Sequence, residues 1–159
     1  MMLSSLYAMI ATLCFGILYN IRGKNLIFSS IGGGITWFIY LLVYHFLGYS
    51  NILAYFSASI IGSIYSEIMA RLLKTPATPF IIGTLIPLVP GSGMYNTMFE
   101  TVQGNTQDSI QTGIHTLEIA GTIAIGVFSV SSISKASVLF KRKLHLEKLL
   151  LLKNKFKNR

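Results

Sequence analysis

The run Pro87-Leu88-Val89-Pro90-Gly91-Ser92-Gly93-Met94-Tyr95-Asn96-Thr97 collects residues that interrupt a helix together with residues that can bind at the interruption. Pro87 removes a backbone donor and clashes with the turn before it, and Pro90 does so again three residues later. Gly91 and Gly93 loosen the turn after the prolines. A new half-helix starting near Pro90 or Gly91 would present unpaired N–H groups and a positive dipole end, which suit a carboxylate. Ser92, Tyr95, Asn96 and Thr97 add side-chain hydrogen-bonding groups. The alternative reading of the same residues is a proline kink that serves packing alone.

Three acidic or imidazole side chains are candidates for moving a coupling proton. His115, Glu118 and Thr122 follow one another at spacings of three and four, so they share one helix face. An ionisable residue inside an apolar stretch is by default a functional candidate, although Glu118 also lies near enough to a helix end to be a hydrated interface pair with His115. Glu67 precedes Arg71 by four residues in the favourable order, so a structural ion pair competes with a relay role there.

Other chemistries lack their residues. The one cysteine, Cys14, sits in an apolar run and excludes an internal disulfide or a CxxC framework. His45, His115 and His145 show no ligand spacing, so neither a metal nor another cofactor is expected. No phosphate-binding, zinc-protease or nucleophile-elbow motif occurs, and an enzyme is not expected.

These residues need elements to hold them, and the composition says which kind. The chain has 159 residues, 52% hydrophobic and only 11% charged, with a mean hydropathy of +0.62. Soluble domains carry about a quarter of their residues charged, so this chain belongs in a bilayer. Spans are expected near Leu3 to Ile21, Leu26 to Phe46, Ile52 to Ala70, Pro79 to Met98 and Gly113 to Ile133, each near the roughly 20 residues a membrane crossing needs. The first has no basic leader before it and reads as a span rather than a signal peptide. The expected fold is an all-α polytopic membrane protein: five transmembrane helices over residues 1–134, the fourth broken at the Pro/Gly motif near its middle, then a basic cytoplasmic tail over 135–159.

Charge fixes the expected orientation. The net +8 resides in the tail, which holds nine bases against Glu147, whereas residues 1–134 are neutral with four bases and four acids. Arg22 and Lys24 mark the first loop, Arg71 and Lys74 the third, and only Glu100 and Asp108 the fourth. Bases favour the cytoplasmic side, so the N-terminus is expected outside and the C-terminus in the cytoplasm of a cell-membrane protein. The tail reads as an amphipathic helix placing Leu139, Leu146, Leu149 and Leu150 against acyl chains and its lysines near anionic lipid. A protein-docking surface is the alternative, and no groove-reading motif supports nucleic-acid binding. Ala8, Thr12 and Gly16, and Ala54, Ala58, Gly62, Ser66 and Ala70, repeat small residues every fourth position, as close helix packing requires. Gly32-Gly33-Gly34 marks either a flexible or a closely packed point.

From Ile86 to Met98, and again from Gly113 to Ile133 with its Gly121, Gly126, Ser131 and Ser132, the chain resembles the threonine/serine exporter family, in its small five-span or C-terminal-half form. The likeness rests on the Pro-x-x-Pro-Gly-x-x-x-Tyr core at Pro87 to Tyr95 and extends over residues 1–134, leaving out the tail. Gly104-Asn105 stands where a Gly-Asp pair is expected in related chains. The resemblance implies proton-driven export of threonine and serine, or of small dicarboxylates such as succinate, and a second integral-membrane subunit. The spans alone also fit a non-transporting scaffold or regulatory subunit.

Overall fold

The computed structural model describes the backbone of all residues except Leu47, Tyr49, Asn158 and Arg159, and side chains through Ser137. Its described residues are helical: α1 (Met2–Leu18), α2 (Lys24–Phe46), α3 (Asn51–Leu73), α4 (Thr78–Leu85), a 3-10 turn at Ile86–Leu88, α5 (Gly91–Gln103) and α6 (Thr106–Lys157). Local chemistry sets several ends. The Ser50 hydroxyl accepts from the Leu53 N–H and opens α3, which closes at Lys74 in a left-handed conformation whose N–H reaches the Ala70 carbonyl. Proline opens α4, and Gly104 at φ 83° ends α5.

Helix α2 and α3, together with the Thr106–Ser137 part of α6, are long and apolar enough to cross a membrane, whereas Met2–Leu18 and Thr78–Leu88 are shorter apolar helices. The first helix stops before the expected Ile21 because the chain turns at Asn20, whose φ is 59° and whose side chain accepts from Arg22. The fourth stretch divides at the prolines, as its composition requires. The fifth is embedded in a longer helix with no proline to stop it; the backbone passes Ser134 and Lys135 unbroken. The apolar face expected for Leu139, Leu146, Leu149 and Leu150 falls outside the described side chains.

Close contacts give the directions. Thr12 meets Gly33 and Gly16 meets Leu26, Thr36 meets Gly62 and Phe28 meets Tyr65, and Thr84 meets Ser66 while Leu88 clusters with Ala58, so α1, α2, α3 and α4 alternate in direction. Ser59 on Gly126 and Glu67 on Ser134 then set α6 parallel to α3 in a constant register. Helix α4 lies across α2 and α3, and α6 lies along α3.

What allows this packing is the absence of bulk. The expected stripe Ala54, Ala58, Gly62, Ser66 and Ala70 is buried, as are Thr12 and Gly16. A Cβ on Gly62 would come 2.8 Å from the Thr36 hydroxyl, and one on Gly83 2.8 Å from the Ser29 carbonyl oxygen. The three glycines of α2 are packing glycines: Gly32 faces Tyr65 and Thr84, Gly33 faces Thr12 and Gly83, and Gly34 faces Met9. Buried hydroxyls mostly bond back into their own helix, as Thr36 does to Gly32 at 2.8 Å and Ser63 to Ser59 at 2.7 Å. Fewer bonds cross between helices, among them Ser29 to the Pro79 carbonyl and Tyr65 to the Phe28 carbonyl, each 2.7 Å. The apolar centre is Ala58, Leu88, Ile119 and Ile123, with Trp37, Tyr40 and Tyr55 against it.

Candidate functional site

The break is ordered by what it buries. Leu88, the last residue of the 3-10 turn, is fully buried against Ala58, seven residues into α3. It therefore lies in the N-terminal half of α3, displaced from the midpoint that the sequence suggests. Val89 and Pro90 then leave helical geometry, and α5 restarts at Gly91. Gly91 donates to the Val89 carbonyl at 2.7 Å and Met94 to that of Pro90 at 3.1 Å. The N–H groups of Ser92 and Gly93 have no hydrogen-bond partner among the described residues, and no side chain caps the helix. On one side, Val89, Pro90 and Met94 line an apolar cleft of about 330 Å³ with Thr116, Leu117 and Ala120. On the other, Ile86 and Pro87 face Tyr7 and Phe15 of α1 and Trp37 of α2.

Helix α5 packs on the start of α6 as an antiparallel hairpin. Gly93 lies on Thr116 and Gly113 on Thr97, while Thr101 and Ser109 hydroxyls meet at 2.6 Å and Ser109 donates to the Thr97 carbonyl at 3.0 Å. The α3–α6 register puts Thr116 just beyond Asn51, the first residue of α3. The hairpin therefore reaches about 15 Å past that end of α3 at 1.5 Å per residue. No residue of α5 is buried, and Met94, Tyr95, Met98 and Val102 are among its exposed large side chains.

The sequence candidates accordingly separate into three places. Pro87, Pro90, Gly91 and Ser92 form the break, and Tyr95 and Asn96 project from the next turn, exposed, with Tyr95 stacked on Phe99. Gly93 and Thr97 are turned to α6, and the Thr97 hydroxyl is spent on the Gly93 carbonyl at 2.7 Å. His115 Nδ1 stands 3.4 Å from Glu118 Oε2, both about half exposed, away from the buried Ser109 and Thr116 that meet α5. No hydrogen bond among the described residues joins that pair to Tyr95 or Asn96. Glu67 is roughly 24 Å further along the bundle, judged from the sixteen residues of α6 between Glu118 and its partner Ser134. There the Ser134 hydroxyl donates to Glu67 Oε2 at 2.5 Å and accepts from Arg71 at 2.8 Å, while Arg71 and Glu67 are 4.0 Å apart. Sequence reasoning found the Glu67–Arg71 pair and missed Ser134, which gives no local signal so far along the chain. Thr116 and Ser109, the hairpin's anchors, were missed for the same reason. Among the described residues no group of His, Cys, Asp and Glu is arranged to hold a metal.

A family model described as Threonine/Serine exporter, ThrE, matches residues 4–133, from the first turn of α1 through the apolar part of α6. No curated protein and no solved structure gives a match.

Proposed function

We propose, from the premise that the chain belongs to the threonine/serine exporter family, that it is the small subunit of a two-component, proton-driven secondary exporter of threonine and serine. The observation that carries this is the family match over residues 4–133, which takes in the break, the hairpin and all the bundle helices. The family is one of transporters, and the apolar helices fit a membrane-embedded chain.

The geometry supports the finer reading in three ways. Helices of alternating direction, with α4 and α5 together taken as one pass, are compatible with five crossings and with opposite sides for the two ends of the bundle. Unpaired N–H groups at Ser92 and Gly93 beside Tyr95 and Asn96 are chemically matched to an amino-acid carboxylate. No residue of α5 is buried in this chain, and Met94, Tyr95, Met98 and Val102 leave an exposed apolar face on the hairpin. A second integral-membrane subunit covering the hairpin would complete the site. His115 and Glu118 are the proton-coupling candidates nearest the break, and small dicarboxylates are the alternative substrates.

The test is efflux from a host lacking the gene, loaded with threonine- or serine-containing dipeptides, with succinate followed in parallel. The exporter reading requires internal threonine or serine to accumulate and efflux to return with the wild-type gene. Tyr95→Phe or Asn96→Ala should then lower efflux about ten-fold, the effect of losing one hydrogen bond to a charged group, at unchanged protein level. Normal efflux in both variants removes these two residues from the site.

A further inference from the structure

At the end of the bundle where α3 turns into α4, a cavity of about 520 Å³ is walled by Glu67 and Arg71 of α3, Thr75 of the turn, and Ser134 and Lys135 of α6, with Ala70 and Ala77 between them. The break does not use it. Thr75 Oγ1 is buried and has no hydrogen-bond partner, while its backbone N–H is engaged with the Ala70 carbonyl at 3.1 Å. Buried orphan hydroxyls are uncommon and point to a missing partner. Glu67 has one oxygen engaged by Ser134, and its Oε1 receives no hydrogen bond among the described residues. Arg71 gives one amino group to Ser134, which leaves further donors of its fork, and Lys135 has no ion pair among the described residues.

A second cavity adjoins it. An apolar groove of about 380 Å³ between α3 and α6 shares Glu67, Arg71 and Ser134 at its end. Ile60, Ile64 and Ile68 line it on α3 at intervals of four residues, so it runs about 12 Å along the helix. Its outer rim, Ile64, Ile68 and Ile133, is exposed and would face acyl chains.

A hydrocarbon groove ending in two cations, a carboxylate and an orphan hydroxyl fits an amphiphile whose headgroup carries both signs. We infer that this is a binding site for one phospholipid with a phosphoethanolamine headgroup. Arg71, Lys135 and Thr75 take the phosphate, the Glu67 carboxylate takes the ammonium, and an acyl chain fills the groove between α3 and α6. A free zwitterion such as an amino acid or soluble phosphoethanolamine shares the headgroup chemistry, but it makes no use of the groove. Lys135 is the first base of the tail expected to meet anionic lipid, and this site differs in requiring the ammonium as well as the phosphate. The inference is independent of what the break transports.

The test is native mass spectrometry of the full chain in mild detergent, titrated with phosphatidylethanolamine, phosphatidylcholine and phosphatidylglycerol of identical acyl chains. Phosphatidylethanolamine should bind about ten-fold more tightly than phosphatidylcholine, whose trimethylammonium cannot donate to Glu67. Thr75→Val, which removes only an unpartnered hydroxyl, should weaken that binding several-fold without lowering thermal stability. Lys135→Gln should weaken it about five-fold. Glu67→Gln should abolish the preference over phosphatidylcholine. Phosphatidylglycerol binding as tightly as phosphatidylethanolamine, Thr75→Val and Lys135→Gln both binding as wild type, or soluble phosphoethanolamine or L-threonine displacing the lipid at equal concentration would each overturn the assignment.

Discussion

Gly91 and Gly93 stand two residues apart in one motif, yet an added methyl group meets different surroundings at each. A Cβ on Gly93 would fall on the Thr116 hydroxyl and lie 3.3 Å from Thr116 Cβ and Cγ2. Thr116 is buried, and its hydroxyl donates to the Thr112 carbonyl at 2.7 Å, so it cannot swing aside without losing that bond. Overpacking of this kind costs about 1–3 kcal/mol, and the gain in helix propensity from glycine to alanine returns about 1 kcal/mol. Gly93→Ala should therefore destabilise the hairpin by about 1 kcal/mol. At Gly91 no atom lies within 4 Å, so Gly91→Ala should be neutral or stabilise by up to about 1 kcal/mol. Because α5 packs chiefly on α6, the loss should appear as faster hydrogen exchange of α5 amides, about five-fold per kcal/mol, while α2 and α3 stay protected. Removing the opposing hydroxyl in the double variant Gly93→Ala/Thr116→Ala should restore protection. Transport measured on the same proteins then separates packing from ligand approach: efflux that returns with the fold assigns Gly93 to packing alone. Normal exchange in Gly93→Ala, or an equal loss in Gly91→Ala, would refute this account of the motif.

Gly62→Leu should prevent assembly of the bundle, since a side chain there enters Thr36 and Thr84 together; loss of the folded chain from membranes measures it. Ser134→Ala removes the bridge between Glu67 and Arg71 and should lower stability by about 1 kcal/mol, a value reduced because Arg71 is half exposed; the thermal midpoint would fall about 2–4 °C. Glu118→Gln should leave stability nearly unchanged, because the pair with His115 is half exposed, whereas a relay role requires the pH dependence of efflux to change. Single cysteines at Lys74 and Asp108, with Cys14 replaced, should react with an impermeant thiol reagent from opposite sides of the membrane; labelling from one side sinks the five-pass topology.

How far the sequence could be read depends on the range of each interaction. The small-residue stripe of α3 and the break at Pro87 and Pro90 were legible, because spacing and backbone chemistry act within a turn or two. The role of Gly32, Gly33 and Gly34 was not, since it depends on three different neighbours that only the folded bundle brings up. Residues 91–98 read as the second half of the fourth span because they follow Pro79 to Pro90 without a charge. What they pack on is decided by the fit of Gly93 to Thr116 and Thr97 to Gly113, which no periodicity encodes. The spacing of His115 and Glu118 placed them on one face correctly, but it carries no information about where that face points. The structure leaves both about half exposed, so that face is not packed into the bundle.

The long helix α6 touches all three regions in which candidate residues lie. Ser109 and Thr116 hold the hairpin, Ile119 and Ile123 press on the buried end of the break, and Ser134 clasps Glu67 and Arg71. The stretch from Thr106 to Ser137 contains no proline and is about 48 Å long. In mechanical terms it is one spine shared by three sites, and because it is unbroken the hairpin anchors, the buried end of the break and the Glu67 clasp keep fixed axial spacings along it.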